Sequence, residues 1–101
     1  MLSVLLKEQP GFRFYFVLSD GSCSYGGGLR GDGELYCDPA CPQKELMLRA
    51  LINKCMNEWI PLVTARDEWG VDLARFGFVR EGDLFRSSWQ DLRLPHDCGN
   101  G

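Results

Sequence analysis

The chain has 101 residues, of which 45% are hydrophobic and 25% are charged, and its net charge is -3 at neutral pH. This size and composition are typical of one folded globular domain and argue against a disordered chain. Its 11 Lys and Arg residues are scattered, which argues against the concentrated cationic face that nucleic-acid binding requires, and no apolar run is long enough to cross a membrane.

We expect a single domain over residues 1–101, in which 1–11 are the remnant of an N-terminal strand, 12–89 form the core and 90–101 form a polar tail. The first apolar run is short and soon meets charged residues, which argues against a signal peptide. Five cysteines, an odd number, are spread without the density of a disulfide-stapled secreted scaffold. We therefore expect a cytoplasmic protein with reduced thiols.

The first elements along the chain are predicted to form a β-hairpin. Residues 12–18 place aromatic and aliphatic side chains at every second position, as in a strand with one apolar face. The Asp20-Gly21 pair favours a tight turn, and residues 23–27 supply the return strand. The glycine-rich segments 26–28 and 31–33 do not open a helix, so we expect flexible turns there and not a phosphate-binding loop.

The middle of the chain is predicted to be strand, helix and strand. Residues 34–37 read as a short strand that a proline-containing turn ends. A helix follows from about Pro42 to about Asn57, because apolar residues such as Leu48 and Ile52 recur there at helical spacing. Residues 60–65 then read as a mostly buried strand.

The last part of the core is predicted to be a short helix and a second hairpin. Asp67 is placed to cap a helix over about 68–76, which Gly77 ends. Residues 78–81 and 84–89 form the hairpin strands. These elements predict an α+β fold: a mixed, mostly antiparallel sheet with two or three helices packed on it.

From residue 12 to about 89 this order resembles the core of the GNAT superfamily of N-acyltransferases, through the Asp38-Pro39-Ala40 turn before the helix and Gly77-Phe78 near the end. In that family the strand before the helix opens away from its neighbour and binds the pantetheine arm of acyl-CoA, while the helix N-terminus binds the pyrophosphate. The resemblance implies acetyl-CoA as cofactor. Its implied binding residues are Leu35, Tyr36 and Cys37 on the strand and Gln43, Lys44, Glu45, Leu46, Met47 and Leu48 at the helix start.

The pyrophosphate motif of this family, Q/R-x-x-G-x-G/A, is matched only in part. Gln43 is present, whereas Leu46 and Leu48 stand where small residues are usual. Glycine lets phosphate oxygens approach the amides closely, so we expect the two leucines to crowd the anion and Glu45 to repel it.

The catalytic residues that the family resemblance implies are also matched in part. Leu73 stands where a tyrosine acid is usual, and leucine cannot protonate a thiolate. Glu34 is the best candidate for a general base, and Tyr36 or Tyr25 could replace the acid. The resemblance thus implies transfer of an acyl group from acyl-CoA to an unidentified amine or protein acceptor.

Other interpretations of the sequence stay open. A non-catalytic protein derived from this family, acting as an interaction or inhibitor factor of phage or mobile-element origin, fits the missing motif residues. An edge strand could pair with a second copy to form a homodimer. The spacing of Cys37, Cys41, His96 and Cys98 lacks the two-residue zinc knuckle, so we expect no metal.

Overall fold

The computed structural model describes residues 3–95, which form an α+β fold of mostly antiparallel strands in two sheets with one α-helix. In chain order the elements are β1 (Ser3–Lys7), β2 (Phe12–Ser19), β3 (Ser24–Arg30), β4 (Leu35–Cys37), α1 (Lys44–Asn57), β5 (Val63–Arg66), a 3-10 helix (Leu73–Phe76), β6 (Val79–Glu81) and β7 (Leu84–Ser87).

The strands form two antiparallel sheets where one mixed sheet was predicted. The first sheet has the order β1-β2-β3-β4, and the second has the order β5-β7-β6. A single parallel bridge, between Glu34 and Thr64, joins β4 to β5. The two sheets are therefore neighbours that meet at one point and are not continuous.

The first hairpin is confirmed, with β2 and β3 paired in antiparallel register on either side of the Asp20-Gly21 turn. The prediction of a flexible turn at residues 26–28 is wrong, because these glycines lie inside β3. A Cβ on Gly27 would lie 2.8 Å from the Met47 sulfur, and one on Gly28 would lie 2.5 Å from the Phe14 carbonyl oxygen. A glycine is needed at position 27 because α1 approaches the sheet closely there, and at position 28 because the backbone of β2 does.

Helix α1 packs one face on the first sheet, as its apolar spacing predicted. Its buried residues are Met47, Leu48, Leu51, Ile52 and Cys55. They join residues of β2, β3 and β4, among them Leu18, Leu29 and Leu35, in one hydrophobic core. The helix begins at Lys44, two residues later than predicted.

The second predicted helix is shorter than expected. Instead of a helix over 68–76 capped by Asp67, the structure has the 3-10 helix, and the Asp72 carboxylate caps it by accepting a hydrogen bond from the Ala74 amide. Gly70 lies at φ +70°, a conformation that a continuous helix excludes. Within residues 3–95 there is therefore one α-helix where two or three were predicted. The second hairpin, β6 with β7, is confirmed.

The segment after β7 returns to the core. Leu92 is buried, and the Arg93 amide donates to the Phe76 carbonyl. The Arg49 guanidinium of α1 donates to the Pro95 carbonyl at 2.7 Å. Residues 96–101, with His96 and Cys98, lie outside the described residues. No helix in the described range has the length and apolar character needed to span a bilayer.

Candidate functional site: the gap between β4 and β5

The two sheets leave a gap between β4 and β5. These strands run parallel and meet at the Glu34–Thr64 bridge, where the Thr64 amide donates to the Gly33 carbonyl at 2.8 Å. In the described part of the chain no ladder continues beyond that bridge. Toward Cys37 and Arg66 the strands are therefore unpaired with each other, and the edge of β4 is open.

The open edge of β4 presents backbone groups to the gap. The Asp38 amide donates to the Gly26 carbonyl at 2.8 Å, which shows which backbone groups at β4 face β3. Hydrogen-bonding direction alternates along an antiparallel strand. The backbone groups of Leu35 and Cys37 consequently point away from β3 and toward β5.

A cavity of about 590 Å³ lies at this gap. Of the residues predicted to form a site, Glu34, Leu35, Tyr36, Cys37 and Lys44 line it. A second cavity, of about 790 Å³, lies between the β1–β2 hairpin and the end of α1, and no predicted site residue lines it. We therefore take the gap between β4 and β5 as the candidate site.

Glu34 forms an ion pair across the gap. Its carboxylate accepts a hydrogen bond from the Arg66 Nε at 2.9 Å, and the Glu34 side chain is 23% exposed. The pair lies at the end of the gap where the strands meet. A carboxylate in this position can receive a proton from a ligand in the cavity, although Arg66 competes for its lone pairs.

Tyr36 and Leu35 point to opposite faces of the first sheet. Leu35 is buried in the core under α1. The Tyr36 ring lies on the other face, 5.8 Å from the Phe12 ring centroid and 4.7 Å from the Arg30 guanidinium carbon. Tyr25, the other candidate acid, is half-buried and does not line the cavity.

The start of α1 leaves amide donors unused by the helix. The Met47 amide makes the first helical hydrogen bond, to the Gln43 carbonyl at 3.0 Å. The amides of Lys44, Glu45 and Leu46 therefore have no partner within the helix. Gln43 occupies the N-cap position, and its exposed side chain makes no capping hydrogen bond. These amides and the helix dipole favour an anion at this point.

The charged side chains of the first helical turn are bound to groups of the protein. The Lys44 ammonium donates to the Pro39 and Cys41 carbonyls at 2.8 and 3.1 Å, which fixes a positive charge beside the loop. The Glu45 carboxylate pairs with Arg49 at 3.1 Å, one turn along the helix. Glu45 is thus partly neutralised by its partner.

The apolar residues of the predicted cofactor motif belong mainly to the core. Met47 and Leu48 are fully buried, and Leu46 is partly buried against the same core. The Leu48 side chain therefore points into the protein interior and not toward the helix start. Any contribution of Met47 and Leu48 to a ligand site would come through the backbone and packing.

The Cys37 thiol, which lines the gap, is weakly acidic. Burial, together with the neighbouring Cys41 thiol, raises the pKa of Cys37 to about 12. Cys37 and Cys41 are free, and Cys37 is protonated at neutral pH, which makes it a weak nucleophile. Among residues 3–95 no group of three metal-binding side chains comes together. His96 and Cys98, which were considered as zinc ligands together with Cys37 and Cys41, lie outside this range.

Sequence reasoning missed Arg30, Trp69 and the role of Arg66 in lining the cavity. Arg30 could have been predicted as a neighbour of Glu34 from the turn between β3 and β4. Its amide donates to the Glu34 carbonyl, so the two residues lie opposite each other across that turn. Nothing in the sequence pairs Arg66 with Glu34, 32 positions away. The chain matches no protein-family model, no curated protein and no solved structure in comparisons with known proteins.

Proposed function

We propose that this chain is a GNAT-like N-acyltransferase, which binds acyl-CoA in the gap between β4 and β5 and transfers the acyl group to an amine. The observation that carries the proposal is that two parallel neighbouring strands pair at one bridge only, so that the edge of β4 is open beside a cavity. A cytoplasmic location belongs to the same proposal, because free thiols such as Cys23 and Cys37 are typical of a reducing compartment.

The gap and the helix start supply complementary parts of a cofactor site. The gap-facing backbone groups of Cys37 can exchange hydrogen bonds with the amides of a pantetheine arm. The unused amides at the start of α1 and the Lys44 charge are suited to the pyrophosphate. The cavity, at about 590 Å³, is within the usual range of ligand pockets and has room for the thioester end of the cofactor.

In the proposed reaction the amine nitrogen attacks the thioester carbonyl. The C–N bond forms, the C–S bond breaks, and the electron pair of the C–S bond leaves on the CoA thiolate. Glu34 accepts the proton that the ammonium must lose, and the Tyr36 hydroxyl donates a proton to the thiolate. Leu73, at the position where the family has its acid, is buried and cannot take that role.

Calorimetric titration with acetyl-CoA tests the cofactor. We expect saturable binding to the wild-type chain and at least about tenfold weaker binding to Lys44→Gln, because the charge beside the helix start is lost. Lys54→Gln is the matched control, since Lys54 lies at the other end of α1 and pairs with Glu58. Absence of both a heat of binding and a thermal shift at millimolar acetyl-CoA would exclude acetyl-CoA as the cofactor and, with it, the proposed activity.

Product formation from acetyl-CoA and a panel of amines, followed by chromatography, tests the reaction. Glu34→Gln should lower the rate by about a hundredfold or more, as expected for loss of a general base. Glu68→Gln is the control, because Glu68 lines the same cavity but makes no ion pair within the described residues. Equal rates for the two variants would exclude Glu34 as the base.

A non-catalytic interaction factor is the second candidate, and the exposed edge strand β1 favours it. All five residues of Ser3–Lys7 are exposed, and Leu5 and Leu6 are 54% and 56% exposed. Such an edge can pair with a strand of a partner. One stoichiometric partner that is retained by Glu34→Gln and lost by Leu5→Lys would support this function. Acyl transfer that Glu34→Gln abolishes would exclude it.

A further inference from the structure

Arg30, the last residue of β3, holds its guanidinium over two aromatic rings. The guanidinium carbon lies 4.7 Å from the Tyr36 ring centroid and 5.2 Å from the Phe12 ring centroid. An arginine stacked on aromatic faces keeps its N–H donors in the guanidinium plane, where they can point away from the rings. The rings thus restrict the orientation of the cation and leave its hydrogen-bonding edge available.

No carboxylate among residues 3–95 uses that edge. The ion pairs in this range engage other cations, and Arg66, the other arginine that lines the cavity, is bound to Glu34. Arg30 itself lines the cavity. An oriented guanidinium without a protein carboxylate is suited to bidentate binding of a ligand carboxylate.

The Glu34 carboxylate lines the same cavity as this cation. The Arg30 amide donates to the Glu34 carbonyl at 2.8 Å, so the two residues are cross-strand neighbours at the base of the β3–β4 hairpin. Since Leu29 lies opposite Leu35, alternation puts the side chains of Arg30, Glu34 and Tyr36 on one face. Cross-strand neighbours are about 5 Å apart at their Cβ atoms. The cavity is therefore lined on one face by the Arg30 guanidinium and by the Glu34 carboxylate, which pairs with Arg66.

We propose that the cavity binds an amine that also carries a carboxylate, of the L-amino-acid type, with its carboxylate on Arg30 and its ammonium beside Glu34. This inference rests on the proposed function, in which the bound amine is the acyl acceptor. The Glu34 carboxylate, which lines the cavity, favours a ligand that carries an ammonium group.

The test is an NMR titration of the ¹⁵N-labelled chain without cofactor, read at the Arg30 side-chain Nε–Hε resonance and the Tyr36 amide. The probes are L-amino acids and, as matched ligands, their amides, which keep the ammonium and lose the carboxylate. We expect saturable shifts with at least one amino acid and at least about tenfold weaker binding of its amide. Equal binding of acid and amide, or no saturable shift with any amino acid, would overturn the inference.

Variants of Arg30 test whether its guanidinium causes the preference for the amino acid over its amide. Arg30→Gln should lose the preference for the acid over the amide, and Arg30→Lys should retain part of it. Arg80→Gln is the control, because Arg80 is also stacked on an aromatic ring, 5.6 Å from the Phe85 centroid, but does not line the cavity. Retention of the full preference by Arg30→Gln would overturn the inference, and thermal unfolding verifies that each variant folds.

Because this titration needs no acetyl-CoA, it tests the amino-acid site separately from the proposed function. Acetyl-CoA binding without amino-acid binding would exclude the acceptor class and leave the cofactor site standing. Amino-acid binding without acetyl-CoA binding would support the Arg30 site and exclude the proposed transferase activity.

Discussion

The Glu34 carboxylate accepts a hydrogen bond from the Arg66 Nε at 2.9 Å, and this ion pair crosses from β4 to β5 at the point where the two strands stop pairing. It couples the two sheets through side chains where the backbone ladder ends. It also sets the availability of the proposed general base, because a proton acceptor bound to arginine must share its lone pairs.

The Glu34–Arg66 pair should contribute modestly to stability. The Arg66 side chain is 58% exposed, and exposed ion pairs contribute about 0.2–1 kcal/mol. A double-mutant cycle with Glu34→Gln and Arg66→Gln, measured by urea unfolding, should therefore give a coupling energy in that range. The Glu81–Arg86 pair, exposed on both sides, is the control and should give a smaller value. A Glu34–Arg66 coupling above about 2 kcal/mol would contradict this account.

Gly28→Ala should destabilise the chain by about 2–3 kcal/mol, since the new Cβ would lie 2.5 Å from the Phe14 carbonyl oxygen and the backbone must shift. Gly31→Ala is the matched control, because its Cβ would meet nothing closer than the Gly11 oxygen at 3.8 Å. We expect the control to change the free energy of unfolding by about 0.5 kcal/mol or less. Equal losses in chemical denaturation would argue against the close approach at Gly28.

Leu51→Ala should lower the free energy of unfolding by about 2–5 kcal/mol, because Leu51 is fully buried between α1 and the sheet and its removal leaves a cavity. Asn53→Ala, on the exposed face of the same helix, serves as the comparison and should be nearly neutral. The measurement is urea unfolding of both variants. A loss below about 1 kcal/mol for Leu51→Ala would mean that α1 is not packed as described.

The buried thiol of Cys55 should make the fold less stable at alkaline pH. Burial raises its pKa from 9.0 to about 12, so the unfolded chain releases this proton at a lower pH than the folded chain does. The contribution of the buried thiol is therefore fully present below about pH 9 and is lost as the pH rises toward 12.

The pH dependence can be measured by urea unfolding of the wild-type chain and Cys55→Ala at a series of pH values from neutral to alkaline. The wild-type free energy should fall more steeply with rising pH than that of Cys55→Ala. Cys23→Ala, which removes an exposed thiol, should keep the wild-type slope. A Cys55→Ala slope as steep as that of the wild type would contradict the prediction.

The elements that local signals specify were predicted well. Alternating apolar residues and the Asp20-Gly21 turn predicted the β2–β3 hairpin, and helical spacing predicted α1. The predictions for residues 26–28 and 68–76 were wrong. Glycines 26–28 resemble a turn by composition, but they lie in a strand, where they pair with β2 and pack against Tyr15, Met47 and Phe12. The helix predicted over 68–76 does not form across Gly70, because this residue adopts a φ of +70° in a turn.

The class of the fold, the buried face of α1 and the positions of both hairpins could be predicted, because each follows from the spacing of apolar and turn residues within a few positions. The single bridge between β4 and β5, and the ion pair of Glu34 with Arg66 and not with Arg30, depend on how distant parts of the chain pack. Parallel strands joined through a helix have no local turn to fix their register. Their separation depends on how α1 and the second sheet pack in the core.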